Sequence, residues 1–323
     1  MRIMNMRRNE YDVTNRVNVE VVEQVRDAVL EIFAARYPGE DLAPLKRAFD
    51  DMQSLFAGRY PGYLACDTLY HDLRHTLDMT LATARLIDGH DRISAPADRL
   101  GVRRAMFGVM VALLHDSGYI RRASETDVEN GAVFTKVHVS RSAEFLRSYL
   151  PKLGFAQEAD TAAKLSHFTG YELEIDKIQL PDEKVRLVGC IVGTADLLAQ
   201  MADRQYIEKC RDFLYLEFVW GRIAREIQPD GREIVRYASP TDLVIKTPGF
   251  YQYFARPRID RTFGGVERFA ETHFGGPNLY EQEIARNMQY LHETIEKGEF
   301  DRLRRVAHSM SHPVPDRPRN YRE

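Results

Sequence analysis

The stretch YHDLRHTLDM, Tyr70 to Met79, decides how this chain is read. In a helix, residues four apart share a face, so His71 and His75 are expected to project together while Leu69, Leu73, Leu77 and Leu81 form a separate apolar stripe. One stripe calls for a core and the other for something that takes imidazole. By itself the pair fits a surface or capping role equally well, so its meaning depends on what the rest of the chain supplies.

Further along, VALLHDSGY (Val111 to Tyr119) reads as a helix that is apolar all round and ends at His115 and Asp116, with Gly118 placed to cap it. An ionised carboxylate in such surroundings is costly unless it is paired, hydrogen-bonded or bound to a metal. In VRLVGCIVGTADLLAQM, Asp196 shares a helical face with Val185, Val188, Gly189, Val192 and Ala199, and the nearby bases Lys184, Arg186 and Arg204 do not lie on that face. His138 in TKVHVSRSAEFL and His167 in AKLSHFTGY each fit a core or surface place when taken singly. Taken as a set, His75, His115, Asp116, His138, His167 and Asp196 offer imidazole nitrogen and carboxylate oxygen without thiolate. That donor set suits zinc, manganese, iron, nickel or magnesium.

The order of these residues (His, then His-Asp ending an apolar helix, then isolated histidines, then Asp in an ADL context) resembles the HD-domain superfamily of metal-dependent phosphohydrolases. YHDLRH is also similar to the Tyr-His-Asn-x-x-His signature of the related cyclic-nucleotide phosphodiesterases, and the resemblance covers Tyr70 to Asp203. It implies an all-α fold, an HD-domain helical bundle with N- and C-terminal helical extensions, holding one or two divalent metal ions. His75, His115, Asp116 and Asp196 match the ligands of the principal metal. His138 and His167 match those that complete a second site, with Asp116 as the bridge, and His71 matches the proton donor. The catalytic residues it implies are therefore His71 and Asp116.

The expected activity is hydrolysis of a phosphate ester of a nucleotide or similar small molecule by metal-activated water. A nucleotidase acting on monophosphates and a non-catalytic metal- or nucleotide-binding sensor are the alternatives. HDSGY departs from the family in placing Tyr119 where many members carry Lys or His. Arg121 and Arg122 follow at once and either contact substrate phosphate or form an exposed basic pair. The Gly-Tyr-Pro element of the cyclic-dinucleotide hydrolases is absent, and no purine-orienting glutamine is assigned. The aromatics of FLYLEFVW and GFYQYF either wall a base pocket or pack a core.

The 323 residues divide in expectation into an N-terminal helical extension (1–66), the metal-binding core (67–228), a mostly helical C-terminal extension (229–310) and a disordered tail (311–323). Apolar residues recur at helical spacing almost throughout, and REIQPDGREIVRYAS reads as a small hairpin or a helix break. A net charge of -3 from 45 basic and 48 acidic residues, well mixed, favours neither duplex nucleic acid nor an anionic membrane. Three scattered cysteines fit no disulfide framework, and the N-terminus has no signal-peptide core. A cytoplasmic location is expected, with a small phosphorylated molecule as partner and a homo-oligomer left open. Phosphate-binding loops of the G-x-x-x-x-G-K-[ST] and G-x-G-x-x-G kinds and the G-x-S-x-G elbow are missing, so ATP-driven, dinucleotide-redox and serine-hydrolase chemistry find no support.

Overall fold

The computed structural model describes residues 7–311, which lie predominantly in helices. In chain order these are α1 (Val22–Arg36), α2 (Ala43–Phe56), α3 (Leu73–Ile93), α4 (Gly101–Leu114), α5 (His138–Tyr149), α6 (Ala159–Ser166), α7 (Glu183–Ala202), α8 (Tyr206–Lys209), α9 (Tyr215–Trp220), α10 (Pro240–Phe250), α11 (Phe269–Phe274) and α12 (Leu279–Lys297). The QPDGRE segment turns a small antiparallel hairpin, β1 (Arg225–Ile227) on β2 (Glu233–Val235), with Arg225 opposite Val235. Single π-helical turns at Cys210–Leu214, Tyr251–Ala255 and Arg258–Thr262 interrupt the helical path, and such turns often accompany functional sites.

The opening stretch begins α3, but not as continuous helix. Asp72 has extended backbone and its side chain accepts a 3.0 Å hydrogen bond from the His75 amide, so it is the N-cap. His71 therefore stands outside the helix and His75 in its first turn. The two rings are neighbours because of the turn ahead of the cap, 5.9 Å between centroids and nearly perpendicular, and not because they share a helical face.

Helix α3 is the axis of the molecule, packed by α1, α4, α7 and α11 and buried from Arg74 through Asp91. Its polar side chains are enclosed in ion pairs drawn from both ends of the chain. Arg74 meets Glu20 and Asp203, both at 3.0 Å, and Arg85 reaches Asp12 and the Tyr280 hydroxyl. Asp88 meets Arg36 at 2.9 Å and His273 at 2.7 Å. Breaking one partner of such a pair leaves a buried charge uncompensated, so these contacts strongly oppose detachment of the terminal segments. Most buried apolar side chains from Val19 to Leu303 belong to one contiguous cluster, and Leu69, Ala132 and Trp220 form a second, smaller one. Helix α7 has the length and hydropathy to cross a bilayer, yet 83% of its most apolar window is buried inside the protein, where it packs along α3.

Among the acidic side chains of α3, Asp78 has no basic partner in contact. One of its oxygens has no hydrogen-bond partner, and burial together with the nearby Asp203 carboxylate pushes its pKa up to about 6, against the attraction of Arg7 and Arg74. A raised carboxyl pKa stabilises the fold at low pH and loses that contribution as pH rises through the folded value. Asp78→Asn is accordingly expected to raise stability by about 3 kcal/mol at pH 8, by roughly half of that at pH 5 and by little at pH 3.5, as read by denaturant unfolding.

The expected tail lies outside the described residues except for Ser311. That residue is buried, with its hydroxyl donating to the Thr68 carbonyl, while the Met310 amide donates to Asp72 at 2.7 Å. The last described residues are thus packed onto the N-cap of α3.

Candidate metal centre

Four donors from three helices converge. His75 comes from the first turn of α3, His115 and Asp116 from the end of α4, and Asp196 from α7, where Val192 and Ala199 share its face. His75, His115 and Asp116 are buried and can present ligand atoms within 4.8 Å of one another. His75 Nε2 lies 3.5 Å from Asp116 Oδ2 and 3.2 Å from Asp196 Oδ1. His115 Nε2 lies 3.0 Å from Asp116 Oδ2 and 4.0 Å from Asp196 Oδ1.

The fit to a divalent ion can be tested on these atoms. Ligands each ~2.1 Å from one ion stand roughly 3.0–3.5 Å apart at octahedral or tetrahedral angles, close to most of the observed spacings. His115 Nδ1 donates to the Ala112 carbonyl at 2.8 Å, which fixes the ring and turns Nε2 toward the cluster. His115 Nε2 and Asp116 Oδ2, both buried, face each other at 3.0 Å at an angle that makes no proper hydrogen bond, and neither has another hydrogen-bond partner among the described residues. Buried polar atoms left in that condition are what a coordinated cation satisfies. Burial would lower the His115 pKa, but the Asp116 carboxylate beside it raises it to about 9. Burial would raise Asp116, and His115, His71 and His75 instead hold it far below the usual carboxylate range.

Asp116 faces two ways. Its Oδ2 points to the four-donor cluster, and its Oδ1 lies 3.7 Å from His138 Nε2. His138 donates through Nδ1 to the Thr135 carbonyl at 2.8 Å, and burial lowers its pKa, so Nε2 keeps its lone pair toward Asp116. The close approach of α5 to the His-Asp corner depends on Gly118. A Cβ there would lie 1.8 Å from the His138 carbonyl oxygen and 2.8 Å from the Ser142 amide. Its φ is not in the left-handed region, so the residue serves close packing and not the helix cap expected from the sequence. Gly118→Ala is expected to cost about 1–3 kcal/mol and to weaken whatever metal uptake involves His138, checked by thermal unfolding and metal titration.

His167 lies off the cavity. Burial lowers its pKa, and the charges near enough to act on its proton are Glu172 and Arg147, not Asp116. The turn that ends α6 instead sends Phe168 through Glu172 into the cavity wall. Arg121 and Arg122 do not line the cavity either. Past Tyr119 the chain pairs with the N-terminal segment, where the Leu64 amide donates to the Arg121 carbonyl at 2.9 Å, and both side chains have structural carboxylate partners at 2.7 Å: Asp67 for Arg121 and Glu144 for Arg122. Asp72 caps α3, and Asp203 pairs with Arg74 and Lys209.

Tyr119 is buried between two imidazoles, stacked on His71 at 4.5 Å and on His138 at 4.3 Å. The residue that sequence reading missed is Glu217. It is fully buried on α9 and accepts hydrogen bonds from the Tyr70 amide at 2.6 Å, the His71 amide at 3.2 Å and His71 Nδ1 at 2.5 Å. Its signal in the sequence was the lone acid within FLYLEFVW. Burial alone would lower the His71 pKa, but the Glu217 charge and hydrogen bond raise it to about 9, with Asp116 and Asp196 adding to the effect.

The four donors, with His71, Tyr119 and His138, lie on the wall of a cavity of about 440 Å³ whose other lining includes Leu197, Tyr206, Leu214, Phe218, Tyr237 and Phe250. That volume falls in the range of small-molecule sites. In comparisons with known proteins, the chain matches no family model, no curated protein and no solved structure.

Proposed function

We propose that this protein is a metal-dependent phosphohydrolase of the HD type, cleaving a phosphate ester of a nucleotide or similarly sized small molecule. The observation that carries the reading is the juxtaposition of two unlike devices on one cavity wall. One is an imidazole and carboxylate cluster whose His115 Nε2 and Asp116 Oδ2 are left without hydrogen-bond partners, and the other is an imidazole held protonated by a buried glutamate.

His75, His115, Asp116 and Asp196 would hold the principal ion, and His138 with Asp116 would contribute to a second. A divalent ion bound there supplies a nucleophilic water at neutral pH and neutralises charge on the phosphoryl oxygens. The remaining requirement is a proton for the departing alkoxide. His71 gives its Nδ1 proton to a lasting hydrogen bond with Glu217, which leaves the Nε2 proton as the one to deliver. Tyr119 stacked on the His71 ring fixes the plane in which that proton points. The apolar wall around Leu197, Leu214, Phe218 and Phe250 excludes water from the leaving group and accommodates its organic part.

Elemental analysis of the purified protein, combined with a screen of phosphate mono- and diesters under magnesium, manganese, zinc, nickel and ferrous iron, tests the reading. Near-stoichiometric divalent metal and metal-dependent release of alcohol or phosphate are expected. A chain that binds none of these ions at micromolar concentration would sink the proposal, and the ester preference separates a diesterase from a nucleotidase.

A further inference from the structure

Three Lys or Arg side chains line the cavity, and their partners differ. Lys136 is paired with Glu226 at 2.8 Å, and Lys246 with Asp242 at 2.8 Å. Arg258 has no carboxylate partner among the described residues. Its Nη2 donates to the carbonyls of Phe168 at 3.1 Å and Gly170 at 2.6 Å, while Nε and Nη1 have no acceptor from the described residues. The guanidinium lies over the Tyr171 ring at 4.4 Å and the Phe263 ring at 5.2 Å. It is half-buried, at the first residue of the π-helical turn Arg258–Thr262.

This mounting lies close to the candidate metal centre. The Phe168 carbonyl that holds Arg258 packs on Gly193, where a Cβ would lie 2.6 Å from that oxygen and 2.6 Å from the Phe263 ring. Gly193 precedes Asp196 by three residues on α7, so the support of the guanidinium sits roughly one turn, ~5 Å along the axis, from the Asp196 position. A half-buried cation fixed by carbonyls and aromatic faces, with donors free and no carboxylate in contact, feels Asp196 only across the cavity and is arranged for an external oxyanion.

Resting on the phosphohydrolase reading of the same cavity, we propose that Arg258 binds a second anionic group of the substrate, distinct from the phosphoryl group held at the His75, His115, Asp116 and Asp196 cluster. The substrate class narrows to phosphate esters that carry a further carboxylate or phosphate, with an apolar or aromatic body between the two anions. Arg258 is in this view a specificity-determining residue supplied by the C-terminal third of the chain.

The test uses non-hydrolysable probes on the full-length, manganese-loaded protein: phenylphosphonate, 3-carboxyphenylphosphonate and benzene-1,3-diphosphonate, with dissociation constants from titration calorimetry. The wild type is expected to bind at least one doubly anionic probe about tenfold or more tighter than phenylphosphonate, the difference typical of one charge-assisted contact. The carboxylate and diphosphonate arms show which second anion is preferred. Arg258→Gln, whose amide can still donate to the Phe168 or Gly170 carbonyl, is expected to erase that gap, and Arg258→Lys to keep part of it. Absence of a gap in the wild type overturns the proposal without recourse to any variant, and equal weakening of all three probes by Arg258→Gln overturns it as well. Hydrolysis of phenyl phosphate is followed separately. A gap without hydrolysis leaves the anion site standing and removes the catalytic reading, and hydrolysis without a gap does the reverse.

Discussion

Asp116→Asn is expected to empty the metal centre. The Asp116 carboxylate lies beside His115, His75 and His138 at once, with its two oxygens directed to opposite sides. An amide removes the negative charge and presents an NH2 group in place of one of those oxygens. Loss of an outer partner alone weakens metal binding by ~10–100-fold, so loss of this shared ligand is expected to exceed about 100-fold and to take turnover with it. Metal content after dialysis, measured beside the melting curve, decides the matter. A folded Asp116→Asn protein that retains wild-type metal would show that the ion, if any, is held elsewhere.

The second large effect separates proton delivery from metal binding. His71→Ala is expected to retain metal while losing ~10²–10⁴-fold in turnover, the usual contribution of a positioned general acid. Glu217→Gln keeps a carbonyl to accept the Tyr70 or His71 amide but removes the charge that holds the His71 proton. A general acid works only while protonated, so activity falls as pH rises through its pKa. In the wild type that limb is expected near pH 9, and in Glu217→Gln it is expected to move toward the ordinary imidazole value of 6.5. A rate-against-pH profile on both proteins checks the shift. An unmoved alkaline limb would assign the limb to another group, and metal loss equal to that of Asp116→Asn would make His71 a ligand.

The donors that sequence reading could recognise were those whose chemistry conflicts with their local pattern. Asp196 interrupts an apolar helical face and His115-Asp116 ends a helix with no polar side, and an unexplained polar group in an apolar stripe marks a site because burial without a partner is unfavourable. These three converge with His75 in the fold. The helical reading was legible for the same reason: apolar spacing over many turns is a long, repeated signal. His167 sent the opposite lesson, since a histidine on a short amphipathic helix carries no information about which way the following turn will face.

What stayed hidden depended on contacts between distant parts of the chain. Glu217 lies 146 residues from His71, and Arg258 lies 90 residues from the Phe168 carbonyl that mounts it. Arg121 and Arg122 looked free until the N-terminal segment and α5 supplied Asp67 and Glu144. Gly118 looked like a helix cap until α5 was seen to pass within contact of it.

Local pattern alone thus established a helical chain and a nitrogen and oxygen donor set, because periodicity and burial conflict are written residue by residue. Only the tertiary structure decided which imidazole meets a glutamate, which guanidinium keeps its donors free, and on which side of Asp116 each histidine stands. Those outcomes follow from side chains meeting at 3 Å across long loops, and their pairing depends on how whole helices pack and not on the residues that flank them.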